Sequence, residues 1–258
     1  MTLVDTHTHL YLEEFDQDRH KIFERASGQG IKKMLLPNID SNSVDRLKQT
    51  CIDFKEFCYP MMGLHPTSVD EHFQTELQKI HNHLGQDNYI AIGEIGIDLY
   101  WDRTYLKEQE EAFRTQIKWA IEKKLPIVIH ARDSFSKIFE VVDDLNCDDL
   151  RGVFHCFTGT EEDAQKIIDY GGFKMGIGGV LTFKNSKLDQ VVKNISLEHL
   201  ILETDSPYLA PAPHRGKRNE SSYISLVAQK LAEIKGLSKD EIADITTTNA
   251  VELFNIEV

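Results

Sequence analysis

Positive charge is scarce in this chain: 29 Lys and Arg stand against 42 Asp and Glu, a net charge of −13. A chain this acidic has no broad basic face, which excludes wrapping a long nucleic-acid duplex. Any polyanionic ligand must then be held by bound cations or by a few local Lys and Arg residues. Long apolar runs are also missing. No stretch approaches the ~18 apolar residues of a membrane-spanning helix, and no basic segment followed by an apolar one opens the chain. Neither a membrane span nor a signal peptide is expected. Cysteine is sparse, and Cys51, Cys58, Cys147 and Cys156 form no CxxC pair. Free thiols in a reducing cytoplasm are the simplest reading. A glycine-rich phosphate turn is absent too. The first apolar run leads into Asp5-Thr6-His7-Thr8-His9, and Gly171, Gly172, Gly176, Gly178 and Gly179 flank a late run without opening a clear helix. That excludes a dinucleotide fingerprint and leaves those glycines as turn and close-approach positions.

What the chain does have is alternation. Eight short apolar runs recur: Leu3–Asp5, Lys33–Leu36, Tyr59–Gly63, Ile90–Gly93, Pro126–His130, Gly152–His155, Phe173–Gly176 and Leu200–Glu203. Amphipathic stretches lie between them. Ile117, Ala120 and Ile121 predict a helix over Arg114–Lys124, and similar spacing predicts helices over Asp16–Ser27, Asp45–Phe54 and Glu161–Tyr170. Strands alternating with helices predict βαβ units and a parallel sheet, and eight units in 258 residues fit an α/β chain folded as a (β/α)8 TIM-type barrel. Two further helices are expected after a Pro-rich, basic loop (Ser206–Arg218): Tyr223–Lys235, and one opened by the capping box of Ser238 and Glu241. Residues 1–258 read as one domain.

In a TIM-type barrel the chemistry sits where strands end. Here His7 and His9 follow the first run, His65 the third, Glu94 the fourth, His130 the fifth, His155 the sixth, and Glu203 and Asp205 the eighth. Side chains at i and i+2 of a strand share a face, so His7 with His9, and Glu203 with Asp205, are expected to point together. Cys156 should point away from His155. Each residue alone has an ordinary explanation: a satisfied core histidine, a buried ion pair at Glu94, a turn-opening Asp205 before Ser206-Pro207. Asp98 suits either a hydrogen-bond acceptor behind the site or a loop cap. Together, imidazoles and carboxylates with no thiolate suit a site for Zn, Mn, Mg or a similar divalent ion.

These motifs resemble the TatD family of metal-dependent deoxyribonucleases, within the amidohydrolase-like barrel superfamily. The matching stretches include Val4-Asp5-Thr6-His7-Thr8-His9-Leu10, Gly63-Leu64-His65-Pro66, Gly93-Glu94-Ile95-Gly96-Ile97-Asp98, His130-Ala131-Arg132, His155-Cys156-Phe157-Thr158-Gly159, Leu202-Glu203-Thr204-Asp205-Ser206-Pro207 and Pro213-His214-Arg215-Gly216-Lys217-Arg218-Asn219. The resemblance implies two divalent ions. His7, His9 and Asp205 would hold one, His130 and His155 the other, and Glu94 would bridge them. The wider superfamily often bridges with a carboxylated lysine; glutamate favours the TatD branch. The family usually continues Asn-Glu-Pro where this chain has Asn219-Glu220-Ser221, so a looser loop is expected there.

The expected activity is phosphodiester hydrolysis on DNA, with a metal-activated hydroxide attacking phosphorus and Asp205 or Glu203 accepting the water's proton. His65, Arg132, His214, Arg215, Lys217 and Arg218 are the candidate substrate contacts. An acidic body with a small basic mouth suits a single-stranded or frayed DNA end acted on exonucleolytically. Neither a membrane nor an obligate protein partner is expected. The competing readings are an amide, lactone or phosphotriester hydrolase on the same metals, and a non-catalytic metal-binding protein.

Overall fold

The computed structural model describes residues 1–258. Its strands are β1 (Leu3–Asp5), β2 (Ile31–Pro37), β3 (Cys58–Met61), β4 (Ile92–Asp98), β5 (Ile127–Arg132), β6 (Gly152–Phe154), β7 (Phe173–Ile177) and β8 (Leu200–Leu202). A helix separates each strand from the next, and two more, Ile224–Lys235 and Lys239–Phe254, follow β8. All pairings are parallel, β1 to β3 in one run and β4 to β8 in another. Both seams are stitched: Met62 bridges Ile92, Thr8 bridges Ser206, and the Thr6 amide donates to the Leu202 carbonyl at 3.1 Å. The fold is a (β/α)8 TIM-type barrel. No helix is long and apolar enough to cross a membrane, and all four cysteines are free.

Strand parity explains how the sequence builds two cores. Leu3, Met34, Leu36, Ile127, Ile129, Phe154, Leu200 and Leu202 belong to the large cluster that includes the surrounding helices. The residues between them, Val4, Leu35, Val128, Val153 and Ile201, form a second, inner cluster. Strands buried on both faces read as continuous apolar runs, as seen here. The inner cluster is completed by Ala250, Leu253, Phe254 and Ile256 from the C-terminal helix and its end. Each fully buried aliphatic side chain contributes about 2 kcal/mol of transfer free energy. The helix starts where expected: Ser238 Oγ accepts from the Glu241 amide at 3.2 Å, and Glu241 Oε2 accepts from the Ser238 amide at 2.8 Å.

Of the boundaries that differ from the sequence reading, two bear on the site. The helix expected over Arg114–Lys124 runs Leu106–Lys123. Its first half buries Gln109, and Gln116 is buried further on, so the face lacks a continuous apolar stripe. These glutamines serve loop backbone instead: Gln109 Oε1 accepts from the Asp98 amide at 2.9 Å, and Gln116 Oε1 from the Leu64 amide at 2.7 Å. The fourth strand starts at Ile92 rather than Ile90 and continues to Asp98, with a register irregularity between Ile92 and Ile95. Glu94 lies within that irregularity. Bulges of this kind re-aim a side chain at a barrel rim.

The loop after β8 is pinned, not loose. Asn219 Nδ2 donates to the Thr204 and Tyr208 carbonyls, both at 2.7 Å. Glu220 accepts from Arg25 Nε at 2.8 Å and Nη2 at 2.6 Å. Ser221 in place of proline therefore leaves the anchor intact. Burial raises the Glu220 pKa, but Arg25 and Ser222 outweigh it and hold the carboxyl below its ordinary value of 4.5. A carboxylate depressed in the folded state stabilises the fold above its unfolded pKa and loses that contribution as pH falls. Glu220→Gln is expected to lower the melting temperature at neutral pH and to flatten the further loss between about pH 5 and about pH 3. Thermal melts of both proteins across that range check this.

Candidate metal centre and catalytic cleft

Strand parity also sets the site. Two residues beyond the inner-facing Val128, Val153 and Ile201 come His130, His155 and Glu203, which continue the inner face toward the barrel mouth. Glu94 sits at the centre, 2 % exposed. Its Oε2 lies 3.0 Å from His7 Nε2 and 3.6 Å from His9 Nε2. Its Oε1 lies 2.7 Å from His130 Nδ1, 3.1 Å from His155 Nε2 and 3.2 Å from His65 Nε2. Asp205 Oδ1 stands 3.7 Å from His7 Nε2 and 3.6 Å from His9 Nε2. The two oxygens of one carboxylate thus face two separate groups of imidazoles.

The carboxylates and imidazoles of the cluster shift one another's protonation. Burial raises the Glu94 pKa, but His65, His155 and His7 overcome it and hold the carboxyl well below 4.5. Burial opposes charge on His155, yet Glu94 and Glu203 raise its pKa well above 6.5. His7 stacks face to face on His155 at 3.7 Å, and its pKa is lowered by burial and then by His155. Buried like charges in contact are unfavourable, so the two rings are not both imidazolium; the shifts leave His7 as the neutral one.

Hydrogen bonds behind the rings fix which nitrogen faces the centre. The Tyr11 hydroxyl donates to the Pro37 carbonyl at 2.7 Å, so its oxygen accepts from His9 Nδ1–H at 3.1 Å. That leaves the His9 Nε2 lone pair facing Glu94 and Asp205. Glu203 Oε1 accepts from His155 Nδ1 at 3.2 Å and from the Cys156 amide at 2.6 Å. Asp98 Oδ2 lies 2.9 Å from His130 Nε2, leaving Nδ1 toward Glu94. Such partners orient metal-binding imidazoles. His7 Nε2 also faces Glu94, while its Nδ1 is buried without a partner. This nitrogen and oxygen donor set fits divalent cations. His7, His9, Glu94, His130, His155 and Asp205 could hold them.

His65 is different. Its Nδ1 accepts from the Thr67 amide at 3.1 Å, and burial lowers its pKa. The neutral ring therefore carries its proton on Nε2 and presents a donor, not a lone pair.

A cavity of about 940 Å³ opens over this cluster. His65, Arg132, Arg215 and Lys217 line it. His214 and Arg218 do not. His214 stacks on Tyr223 at 4.1 Å. Arg218 pairs with Asp18 at 2.7 Å and covers the Phe15 ring at 4.7 Å. Their charge and aromatic surface are used to hold the loop. Glu203 and Asp205 do not share a face, because β8 ends at Leu202 and Asp205 takes φ +55°. Glu203 is fully buried behind His155, and Gly176 makes room for it: a Cβ there would meet Glu203 Oε2 at 2.1 Å. Cys156 does not point away, as strand alternation implied. The strand ends at Phe154, Cys156 takes φ +46°, and the residue lines the cavity. Burial pushes its thiol pKa well up, so it is no thiolate nucleophile. The sequence reading missed Tyr11, Tyr100 and Trp101. Trp101 lines the cavity and is 72 % exposed; an aromatic pair just beyond a strand end was the available signal.

A family model for TatD-related DNases matches residues 4–255. The chain belongs to the TatD-related DNase family. Among its TatD relatives is a Bacillus subtilis protein named as the uncharacterized metal-dependent hydrolase YabD, 38 % identical over 98 % of this chain and 99 % of its own. The Escherichia coli protein YcfH, named likewise, is 30 % identical over 100 % of this chain and 97 % of its own. The crystal structure of the Escherichia coli TatD homologue YjjV superposes with a TM-score of 0.92 at 28 % identity, covering 99 % of this chain and 98 % of that one.

Proposed function

We propose that this TatD-family protein is a hydrolase that uses two divalent metal ions to cleave phosphodiester bonds at single-stranded or frayed DNA ends. The observation that carries the reading is the division of Glu94, one oxygen toward His7 and His9 and the other toward His130 and His155. The name of the family points to DNA, and the names of YabD and YcfH to metal-dependent hydrolysis. His7, His9 and Asp205 would hold one ion and His130 and His155 the other, with Glu94 between them. Such ions, when bound, polarise a phosphoryl oxygen and lower the pKa of an attacking water.

The protein's own groups divide the remaining work. Asp205 is the proton acceptor: it lines the cavity, and His9 and the neighbouring imidazoles outweigh burial to keep it ionised. Glu203 touches His155 and the Cys156 amide only, so it orients the imidazole instead of taking the proton. The His65 Nε2 proton faces Glu94 Oε1 at 3.2 Å and would turn to a phosphoryl oxygen once Glu94 holds its ions. Arg132, Arg215 and Lys217 supply positive charge at the mouth, and the acidic body repels a duplex. His214 and Arg218 support the loop.

His65→Ala is expected to lower kcat/KM on DNA about 10²-fold while metal content stays at two ions per chain. Initial rates beside elemental analysis of the purified variant check this. The substrate class is tested with one enzyme preparation in Mn²⁺ against a single-stranded oligodeoxynucleotide, a duplex, a lactone, an amide and a phosphotriester. Turnover of the single strand alone, or far above the rest, supports the proposal. Turnover of a small ester or amide with no DNA cleavage overturns it.

A further inference from the structure

Two exposed aromatics stand beside the metal centre, and nothing in the proposed chemistry uses them. Trp101 is 72 % exposed and Tyr100 53 %. The Tyr100 ring meets Trp101 edge-on at 4.8 Å and 90°. The Arg132 guanidinium lies 3.7 Å from the Tyr100 centroid and 5.4 Å from that of Trp101. Arg132 forms no salt bridge, so its charge is unspent at the rim of an acidic protein. Trp101 and Arg132 both line the cavity that ends on Glu94. We propose that Trp101, backed by Tyr100 and Arg132, is a stacking platform for a nucleobase next to the phosphodiester being cleaved. The inference rests on the proposed DNA substrate and adds to it how the strand is gripped.

One side chain ties this platform to the centre. Asp98 Oδ1 accepts from the Tyr100 amide at 3.0 Å and the Trp101 amide at 3.5 Å, while Oδ2 lies 2.9 Å from His130 Nε2. The Leu99 amide also donates to the Arg132 carbonyl at 3.0 Å. The spacing between aromatic rim and ligand imidazole is thereby fixed by Asp98 and by the β4–β5 pairing. A single strand alternates flat apolar bases with anionic phosphates. An indole beside a free guanidinium matches that alternation, and stacking accepts any base. A large indole left bare at a cavity mouth gains by covering its faces.

The test uses the full chain. In a Trp119→Phe background Trp101 is the sole tryptophan, and its fluorescence is followed as the chelated protein is titrated with a short oligothymidylate or with an abasic strand of equal length. The same two strands are then offered with Mn²⁺ to wild type, Trp101→Ala and Trp101→Phe. Quenching by the base-bearing strand alone is expected. So is a roughly tenfold loss of kcat/KM for Trp101→Ala on that strand, with none on the abasic one and recovery in Trp101→Phe. Equal quenching by both strands, no quenching, or an equal effect of Trp101→Ala on both overturns the platform. If wild type cleaves neither strand, the DNA reading fails, and the fluorescence titration still decides whether bases stack on Trp101.

Discussion

Glu94→Ala is expected to abolish hydrolysis while leaving the barrel folded. In the protein, four imidazoles lie within 3.2 Å of one or other Glu94 oxygen: those of His7, His130, His155 and His65. Removing the carboxylate leaves the two imidazole groups without a shared anion, and no other acidic side chain contacts both. Neither group then holds its ion against solvent. The expected loss is on the order of 10³-fold or more in kcat/KM, about 4 kcal/mol of transition-state stabilisation. Metal content should fall in parallel, which separates this variant from His65→Ala. The methyl side chain removes a buried charge along with its partners' demand for one, so the melting temperature should change far less than activity. Elemental analysis, initial rates and a thermal melt on one preparation check the three expectations. Full activity with a normal metal content would refute the bridging role.

Gly96→Ala should damage both fold and site. Gly96 has φ +142° and pairs with His130 across β4 and β5. A Cβ there would lie 2.1 Å from the His130 carbonyl oxygen and 3.0 Å from its backbone nitrogen. Backbone atoms cannot rotate aside, so the strands must part where His130 is held. A strained backbone and a broken strand pair together cost about 3 kcal/mol. For a chain of this size that lowers the melting temperature by roughly 10 °C. Weaker metal binding should accompany it, because His130 moves with its strand. Calorimetric melts with and without added Mn²⁺ check both effects. A melt unchanged from wild type would mean that the strands tolerate the extra carbon.

Strand parity made the inner half of the site legible from sequence. An apolar residue pointing into the barrel places its i+2 neighbour on the same face, and Val128 with His130 and Val153 with His155 follow that rule. Glu203 follows it as well, and its hydrogen bonds to His155 and the Cys156 amide hold it behind His155. Asp205 escapes the rule because the chain has already left β8 and taken φ +55°. Cys156 escapes it in the same way beyond β6. His7 and His9 come together although β1 stops at Asp5, because Thr8 bridges Ser206 across the seam. The irregularity in β4 hid the strand's true start but not the glutamate.

What was not legible depends on contacts distant in sequence. Tyr11 controls the His9 tautomer only through the carbonyl of Pro37, 26 positions away. The basic loop looked uniform as a string of charges. Packing divides it, sending Arg215 and Lys217 to the cavity and Arg218 to Asp18. Asp98 carried two readings in the sequence, an acceptor behind the site and a loop cap. It does both, one with each oxygen.

The most direct test of a metal-dependent DNA-end hydrolase is a time course on a 5′-labelled single-stranded oligodeoxynucleotide, run with chelated protein and again after Mn²⁺ is restored. The account predicts no cleavage under chelation and, once the metal returns, either a ladder of shortened labelled products or early release of the labelled nucleotide, according to which end is attacked. Cleavage that persists under chelation, or none after metal is restored to two ions per chain, would contradict it.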